Sequence, residues 1–198
     1  MPNSKPALAL LILPALLLPA CASSRHGASH APQITTGQPI AATPGFYRAG
    51  EVAFGGQPEL AEFDTFASEG VTTVINLRSQ GEMNDLLAEE GLDEAAAIEA
   101  RGMRYVHIPL GGDDGYEPAD VDAFAAAIES ANGPVLVHCA SGGRARTMWQ
   151  AYLVTKRGDS LAQAEAITDT VGGSPAPIER LLGREVRPTV GGTLPPAP

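Results

Sequence analysis

The stretch PVLVHCASGGR, residues 134–144, carries the clearest fold signal in this chain. Its first part, Pro134 to Cys139, is rich in β-branched and other apolar residues and predicts a buried strand. Two glycines follow and allow a tight turn, since glycine adopts positive φ angles without strain. Ala145 to Arg157 then predicts a helix whose basic residues lie in the last turn, where the helix dipole favours them.

Strand and helix patterns also alternate on both sides of this segment. Val71 to Leu77 and Met103 to Leu110 predict two more buried strands. The predicted helices, recognised by proline in the first turn, an acidic beginning or a capping box, cover residues 58–69, 82–100 with a break at Gly91, 118–131, and a last pair from Asp159 to Leu182. Strands separated by helices require crossover connections. We therefore predict the α/β class, with a mostly parallel central sheet flanked by helices on both faces.

Sheets of this kind bind ligands outside the carboxyl ends of their strands. Three segments of this chain follow such ends, namely Asn76 to Arg78, Gly111 to Tyr116, and the residues after Cys139. We expect these three segments to meet at one edge of the sheet and to form the functional site.

The turn after Cys139 has the composition of an oxyanion-binding loop. The backbone N–H groups that can converge on one anion are those of Ala140, Ser141, Gly142 and Gly143, and the following helix adds the positive end of its dipole. The same field stabilises a thiolate, so Cys139 is a candidate nucleophile. Arg144 offers a planar guanidinium that matches two oxygens of a tetrahedral anion. The alternative is that Cys139 is only a small buried residue at the end of a strand.

Length and composition limit the classes of function. The chain has 198 residues, of which 44% are hydrophobic and 18% charged, enough for one domain with tails. Its 13 Lys+Arg against 23 Asp+Glu give a net charge of −10 without a basic run, which excludes nucleic acid as a partner. Two cysteines exclude a disulfide scaffold and a multi-cysteine zinc module. We expect no cofactor and no metal, because loop amides and an arginine supply the charge.

The amino terminus has the features of an export signal. Ala7 to Ala20 is an apolar run behind Lys5, too short to span a membrane. Leu18 to Cys21 resembles a bacterial lipobox, so residues 1–20 are predicted to be a lipoprotein signal peptide with Cys21 as the lipidated residue. We therefore expect a periplasmic or outer-membrane lipoprotein. The alternatives are cleavage after Ala22, which gives a soluble secreted protein, and a cytoplasmic protein.

The remaining segments divide the chain. Residues 21–44 are rich in Ser, Ala, Gly and Pro and predict a flexible tether. Residues 45–186 hold the working domain, and residues 187–198 predict a disordered Pro/Gly tail.

Four stretches of the chain, taken together, carry a resemblance to a known family. They are GGQP at 55–58, TVINLR at 73–78, IPL at 108–110 and VHCASGGR at 137–144. In this order and spacing the chain resembles the cysteine-dependent protein tyrosine and dual-specificity phosphatases, in particular the bacterial beta-lactamase-hydrolase-like phosphatase domains. The resemblance covers most of residues 46–170 and implies a protein-tyrosine-phosphatase-like fold.

The resemblance also implies a reaction. In such enzymes the cysteine attacks phosphorus, loop amides and an arginine hold the phosphoryl oxygens, and an aspartate from another loop protonates the leaving group. The phosphocysteine that results is then hydrolysed. The implied activity is a cell-envelope phosphatase for phosphomonoesters of the phosphotyrosine type, with Cys139 as nucleophile and His138 packed beneath the loop to orient it by hydrogen bonding.

The general acid implied by the resemblance falls in the segment GGDDGY at residues 111–116. A glycine-flanked loop at the end of a strand can close over a substrate and hold a carboxyl group against the leaving oxygen. The spacing does not say whether Asp113 or Asp114 has this role, and Asp113 is our first choice. The alternative is a solvated turn, because aspartate and glycine are common turn residues.

The chain departs from the family pattern at the arginine. Most members have five residues between cysteine and arginine, followed by serine or threonine, whereas this chain has four before Arg144 and Ala145 after it. Because a four-residue gap occurs in the bacterial branch, we expect Arg144 to bind phosphate, with Arg146 as the alternative. The hydroxyl that supports the leaving thiolate is then missing beside Arg144. Either Ser141 or Thr147 replaces it, or turnover is slow.

Two other functions remain open. A cysteine with a short loop and an arginine five positions later also resembles single-domain rhodaneses, which carry a persulfide; His138 and the two aspartates count against this alternative. A module that binds an oxyanion without turnover is the third.

For the phosphatase we expect a phosphorylated protein or a small phosphomonoester as substrate, and a membrane contact only through the lipid anchor. No oligomer is predicted.

Overall fold

A computed structural model describes residues 37–168 and 176–186 of the chain. The predicted signal peptide, Cys21, the tether up to residue 36 and the tail from residue 187 lie outside these residues. The described part forms a six-stranded sheet in the order β1-β2-β3-β6-β4-β5. The strands are β1 (Gln38–Pro39), β2 (Tyr47–Ala49), β3 (Val52–Gly55), β4 (Thr73–Asn76), β5 (Arg104–His107) and β6 (Val135–His138).

The predicted sheet is confirmed. Strands β3, β6, β4 and β5 run parallel to one another, while β1 and β2 add an antiparallel edge. The three predicted strands form β4, β5 and β6, each shorter at both ends than its apolar run. Residues beyond these bounds still bond to neighbouring strands, since the N–H groups of Leu77 and Ile108 donate to the carbonyls of His138 and Asn76. Strand β5 was predicted to be buried and is instead partly exposed, because it forms the edge of the sheet.

The amino-terminal strands are a correction to the sequence analysis. Strands β2 and β3 form a hairpin with the two-residue loop Gly50–Glu51, which the sequence analysis did not predict. Residues 37–44 were predicted to belong to the tether, yet β1 pairs with β2 and the Gly37 N–H donates to the Ile167 carbonyl at 2.9 Å. A strand of two residues is too short to show an apolar alternation in the sequence. Its backbone hydrogen bonds are provided by the edge of the sheet.

Seven helices flank the sheet in the described part of the chain. They are α1 (Leu60–Ser68), α2 (Gln80–Glu90), α3 (Glu94–Glu99), α4 (Pro118–Glu129), α5 (Gly143–Tyr152), α6 (Leu161–Thr168) and α7 (Ile178–Leu182). The predicted break at Gly91 is confirmed, since it separates α2 from α3. A π-helical turn, Leu153–Arg157, extends α5, and the predicted capping box before α6 is present in the Ser160 and Gln163 hydrogen bonds.

The helices cover both faces of the sheet, as predicted. Alternate residues of β6 face opposite sides, so that Val135 and Val137 pack with Phe124 and Trp149, while Leu136 packs with the other cluster. The second cluster is formed by apolar residues of α1, α3 and the strands, namely Phe46, Ala53, Phe63, Phe66, Val71, Val74, Ile98, Met103 and Leu136. Within the described ranges, none of the helices is long and apolar enough to cross a membrane.

Candidate functional site

Cys139 directly follows β6 at the carboxyl edge of the parallel strands. Its side chain is 1% exposed, and its Sγ accepts a hydrogen bond of 3.1 Å from the N–H of Gly142. Gly142 has a φ angle of +90°, which lets the loop fold back over the sulfur, and α5 begins at the next residue. The sulfur therefore lies at the positive end of a helix dipole and accepts a backbone N–H, both of which stabilise a negative charge.

Arg144 projects from the first turn of α5 and is held by two acceptors. Its Nη1 and Nη2 donate to the two carboxylate oxygens of Glu82 at 2.5 and 2.7 Å, and Nη1 also donates to the Leu110 carbonyl at 2.7 Å. Three of the five guanidinium N–H groups are engaged in this way. The other two, on Nε and Nη2, lie along one edge of the guanidinium, which is the edge that can bind two oxygens of one anion.

The electrostatics of this pair are strong. Hydrogen bonds from Arg144 lower the pKa of Glu82 to about 2, although partial burial opposes the shift. Burial works against the charge of Arg144, but Glu82 and Cys139 outweigh it and raise the pKa of the guanidinium. The Cys139 side chain is thus close enough to Arg144 to interact with it.

The ion pair between Glu82 and Arg144 predicts an acid-dependent stability. Glu82→Gln is expected to unfold at a lower temperature than the unchanged protein at pH 7, because Arg144 loses a charged partner. The folded-state pKa of Glu82 is about 2, against 4.5 for an ordinary glutamate, so its stabilising effect is complete above about pH 4.5 and is lost as the pH falls towards 2. Thermal unfolding followed by circular dichroism should therefore show a difference that narrows from pH 7 to about pH 3.

The matched control for this prediction is Glu69→Gln. Glu69 pairs with Arg48 at 2.7 Å on the surface, and surface pairs contribute little. A difference between Glu82→Gln and the unchanged protein that stays constant from pH 7 to about pH 3 would contradict the prediction.

The two candidate acids lie in the loop before α4, where both belong to a 3₁₀ turn, Gly112–Asp114. Asp114 accepts the Gln80 N–H at 2.8 Å and so contacts the amino end of α2. The carboxylate of Asp113 is exposed and makes no hydrogen bond to the residues that the structure describes. Asp113 is therefore the carboxyl group that is free to approach a substrate.

Tyr116 is a site residue that the sequence analysis missed as a functional group. Gly111 has a φ angle of +84°, and a Cβ there would lie 2.9 Å from the Tyr116 hydroxyl and 3.6 Å from Arg144 Nη1. Burial raises the pKa of Tyr116, and Arg144, Cys139 and Glu82 are near enough to influence it. Its hydroxyl therefore stays protonated beside the arginine and can donate a hydrogen bond.

The first glycine-rich motif, residues 55–58, packs against the loop that follows Cys139. The N–H of Gln57 donates to the Ala140 carbonyl at 3.1 Å, and Gly56 pairs with Ser141. A Cβ at Gly56 would come within 3.0 Å of the Ala140 carbonyl oxygen. The motif therefore provides a close backbone support for the first half of the loop.

His138 is fully buried at the end of β6, directly before the loop. The ring does not contact the loop by a well-aligned hydrogen bond from either nitrogen to any described residue. Instead, Nε2 lies 3.2 Å from Oε1 of Glu94, a buried residue that the sequence analysis did not single out. The ring is thus held from below, by a carboxylate on α3.

The two hydroxyls suggested as a support for the thiolate have different surroundings. Thr147 donates to the Gly143 carbonyl at 3.0 Å and accepts the Ala176 N–H at 3.0 Å, so its hydroxyl supports the backbone of α5. Ser141 is exposed on the loop. Arg146 is partly buried two residues after Arg144 on α5, and its N–H donates to the Gly142 carbonyl at 2.9 Å.

Two of the missed residues left a partial signal in the sequence. Ser79 and Glu82 form a capping box at the start of α2, a spacing that can be recognised without a structure. Glu94 follows Asp93, which caps α3. Neither pattern shows that the carboxylates reach residues far away in the chain. In the described ranges, no group of three or more His, Cys, Asp or Glu is placed to hold a metal ion.

Comparison with known proteins identifies the family. The family model of the beta-lactamase hydrolase-like protein, phosphatase-like domain, matches residues 47–154. The beta-lactamase hydrolase-like protein of Xylella fastidiosa (strain Temecula1) is 40% identical over 98 residues, which are 50% of this chain and 22% of that protein. The chain therefore matches only a minor part of a longer relative.

Solved structures agree on the fold. Tk-PTP in its active form is 26% identical with a TM-score of 0.55, and the match covers 69% of this chain and 94% of that one. TpbA of P. aeruginosa, in a complex with pTyr, is 18% identical with a TM-score of 0.55, covering 75% of this chain and 84% of that one. The likeness to TpbA concerns the fold alone.

The fold defines a phosphatase-like domain of the protein tyrosine phosphatase type. More narrowly, the chain belongs to the family of beta-lactamase hydrolase-like proteins, through their phosphatase-like domain.

Proposed function

We propose that this protein is a cysteine-dependent phosphatase that hydrolyses phosphomonoesters through a phosphocysteine formed on Cys139. The observation that carries the proposal is the arrangement around Sγ. A loop N–H lies 3.1 Å from the sulfur, the amino end of α5 is next to it, and the Arg144 guanidinium has one edge that neither Glu82 nor the Leu110 carbonyl occupies. Positive charge close to the sulfur supports the role of Cys139 as a nucleophile.

In the first chemical step the Cys139 thiolate attacks phosphorus in line with the leaving oxygen. The S–P bond forms as the P–O bond to the leaving group breaks, and the leaving oxygen takes the proton of a carboxylic acid. Arg144 and the loop N–H groups hold the three remaining phosphoryl oxygens, where the charge of the transition state is spread. Asp113 is the acid in this proposal because its carboxyl group is exposed and uncommitted.

In the second step water attacks the phosphocysteine. The same carboxylate now accepts a proton from the water, the S–P bond breaks, and inorganic phosphate leaves with the thiolate restored. The leaving thiolate is stabilised by the Gly142 N–H. This contact supplies part of what a hydroxyl beside Arg144 would supply. The Tyr116 hydroxyl, which interacts electrostatically with Arg144 and Cys139, is a second candidate donor.

Burial of the sulfur supports substrates of the phosphotyrosine type. Cys139 is only 1% exposed, so a phosphate has to enter the protein surface to reach it. The long, rigid tyrosine side chain carries its phosphate further from the peptide backbone than serine does.

We propose in addition that the protein acts in the cell envelope, supported by the apolar run Ala7–Ala20 and by Cys21.

The proposal is tested by comparing two activities of the full chain with reductant present. Release of nitrophenol from p-nitrophenyl phosphate measures phosphate transfer, and formation of thiocyanate from thiosulfate and cyanide measures sulfur transfer. We expect phosphate release without sulfur transfer. Sulfur transfer alone would replace the proposal with a rhodanese-like function. If neither activity is detected but phosphate still raises the unfolding temperature, the protein is a module that binds an oxyanion without turnover.

The choice between the two aspartates gives a separate prediction. Asp113→Asn is expected to lower kcat for alkyl phosphates by about a hundredfold, the usual contribution of a positioned acid, and to flatten one limb of the pH profile. The effect on p-nitrophenyl phosphate should be smaller because nitrophenolate leaves without a proton. Asp114→Asn is the matched control, since its amide oxygen can still accept the Gln80 N–H and the variant loses only the charge. A larger loss in Asp114→Asn than in Asp113→Asn would reverse the assignment.

A further inference from the structure

Glu94 is a buried carboxylate that belongs to none of the recognised motifs. It is the first residue of α3 and is 1% exposed. A buried charge is costly unless it is paired and hydrogen-bonded, so its position calls for a compensating set of contacts.

The contacts of Glu94 come from the carboxyl ends of neighbouring parallel strands. Asn76, at the end of β4, donates to Oε1 at 2.6 Å, and Nε2 of His138, at the end of β6, lies 3.2 Å from the same oxygen. Gln57, just beyond β3, donates to Oε2 at 2.5 Å. The hydroxyl of Tyr105, on β5, lies 3.0 Å from the Asn76 amide nitrogen. Glu94 thus contacts groups from three of the parallel strands at the edge where the loop begins, and Asn76 links it to Tyr105 on the fourth.

Three of these partners, His138, Gln57 and Asn76, are connected to the loop that holds Cys139. His138 is bonded to Cys139 in the chain. Gln57 supports the loop through its N–H, which donates to the Ala140 carbonyl at 3.1 Å. The residue after Asn76, Leu77, donates its N–H to the His138 carbonyl at 2.8 Å. Contacts from Glu94 therefore reach the backbone on both sides of the nucleophile.

We propose that Glu94 is a positioning residue that holds the Cys139 loop in its anion-binding geometry from beneath. The proposal rests on the function proposed for Cys139 as a reactive thiolate. Glu94 does not touch the sulfur. It acts by fixing His138 and Gln57, and through them the backbone from which Cys139 and the Gly142 N–H are presented to each other.

The charge of Glu94 is retained in the folded protein. Burial opposes ionisation, but His138, Gln57 and Asn76 outweigh it and hold the pKa of Glu94 below its usual range. The titratable and charged groups around this cluster are His138, Tyr105, Asp93, Cys139, His107, which stacks on Tyr105, and Arg78, whose Nη1 donates to Gln57 at 2.8 Å.

The test is the pH dependence of Cys139 alkylation by iodoacetamide, measured by mass on the peptide that carries Cys139. Full-length unchanged protein is compared with Glu94→Gln, which keeps the size of the side chain and removes its charge. Glu69→Gln is the matched control, an identical substitution at a surface ion pair. Thermal unfolding of each variant shows whether it is folded, and the assay needs no substrate.

We expect Glu94→Gln to be alkylated about tenfold more slowly near pH 6, with the midpoint of its pH profile raised by about one unit, the equivalent of that fold-change. The physical reason is a loosened loop that presents the Gly142 N–H less well to the sulfur. The profile of Glu69→Gln should superimpose on that of the unchanged protein.

Two results would overturn the inference about Glu94. A Glu94→Gln profile equal to that of the control would mean that the loop holds its geometry without the carboxylate. Faster alkylation of Glu94→Gln would mean that Glu94 acts on the thiolate only as a nearby negative charge. A different result, an unchanged protein whose Cys139 reacts no faster than a free cysteine at pH 6, would instead contradict the proposed function.

A second variant keeps the inference testable if Glu94→Gln does not fold. Glu94→Asp keeps the charge but is one methylene shorter, so it cannot keep the contacts with Gln57, Asn76 and His138 together. We expect alkylation intermediate between the unchanged protein and the tenfold loss. A Glu94→Asp profile identical to that of the unchanged protein would show that the placement of the carboxylate does not matter, which also overturns the inference.

Discussion

Replacing Cys139 with serine is expected to lower the rate of phosphate release by at least about a thousandfold, because the hydroxyl is not ionised at neutral pH and cannot form the phosphocysteine. The fold should survive, since serine is similar in size and its Oγ can still accept the Gly142 N–H. The measurement is kcat with p-nitrophenyl phosphate at several pH values. Activity of the unchanged protein should also require reductant, since an oxidised sulfur is no nucleophile.

The control for this prediction separates loss of chemistry from loss of binding. Arg144 and its contacts with Glu82 and Leu110 are untouched in Cys139→Ser. Inorganic phosphate should therefore raise the unfolding temperatures of the variant and of the unchanged protein alike. Full phosphate release by Cys139→Ser would show that another group is the nucleophile.

The second large effect is expected at Arg144. Arg144→Ala should reduce kcat/KM for p-nitrophenyl phosphate by roughly a hundredfold to a thousandfold, the usual cost of removing an oxyanion donor from a site. The same change leaves Glu82 with only the more distant Arg78 as a cationic partner, so thermal unfolding has to be measured beside the kinetics. Arg144→Lys should also be strongly impaired, because an ammonium group cannot offer two parallel N–H groups to one anion.

Arg146→Ala is the matched variant, two residues further along α5. We expect it to change kcat/KM much less than Arg144→Ala, because Arg144 is the arginine whose guanidinium lies between Glu82, the Leu110 carbonyl and the Cys139 side chain. A greater loss in Arg146→Ala would assign phosphate binding to Arg146 and would correct the choice made from the loop spacing.

The parallel core of the fold could be predicted because each of its elements carries its own local signal. The buried strands β4 and β6 lie in apolar runs, α4 begins with Pro118, and Gly91 separates α2 from α3. The short strands β1 and β2 were missed because their pairing depends on the neighbouring strand rather than on an apolar pattern. Strand β3 is buried, but its apolar run from Val52 to Phe54 is too short to stand out in the sequence.

The chemistry of the loop at residues 139–144 was determined by local sequence. The thiol, the glycine that bends the loop and the arginine that starts α5 are neighbours in the chain, so their composition and spacing alone place them at one point. Because the loop lies between the end of a strand and the start of a helix, the positive end of the helix dipole points at the loop.

The supports of that loop were decided by tertiary structure. Glu82 reaches Arg144 across 62 residues of sequence, and Glu94 reaches Gln57 across 37. A carboxylate in a helix cap looks the same in sequence whether it faces water or a buried histidine. The packing of four parallel strands brings their carboxyl ends to one edge, and only this packing places Glu82, Glu94 and Tyr116 around the cysteine loop. Side chains from distant segments meet at that edge, and no local sequence pattern predicts the contact.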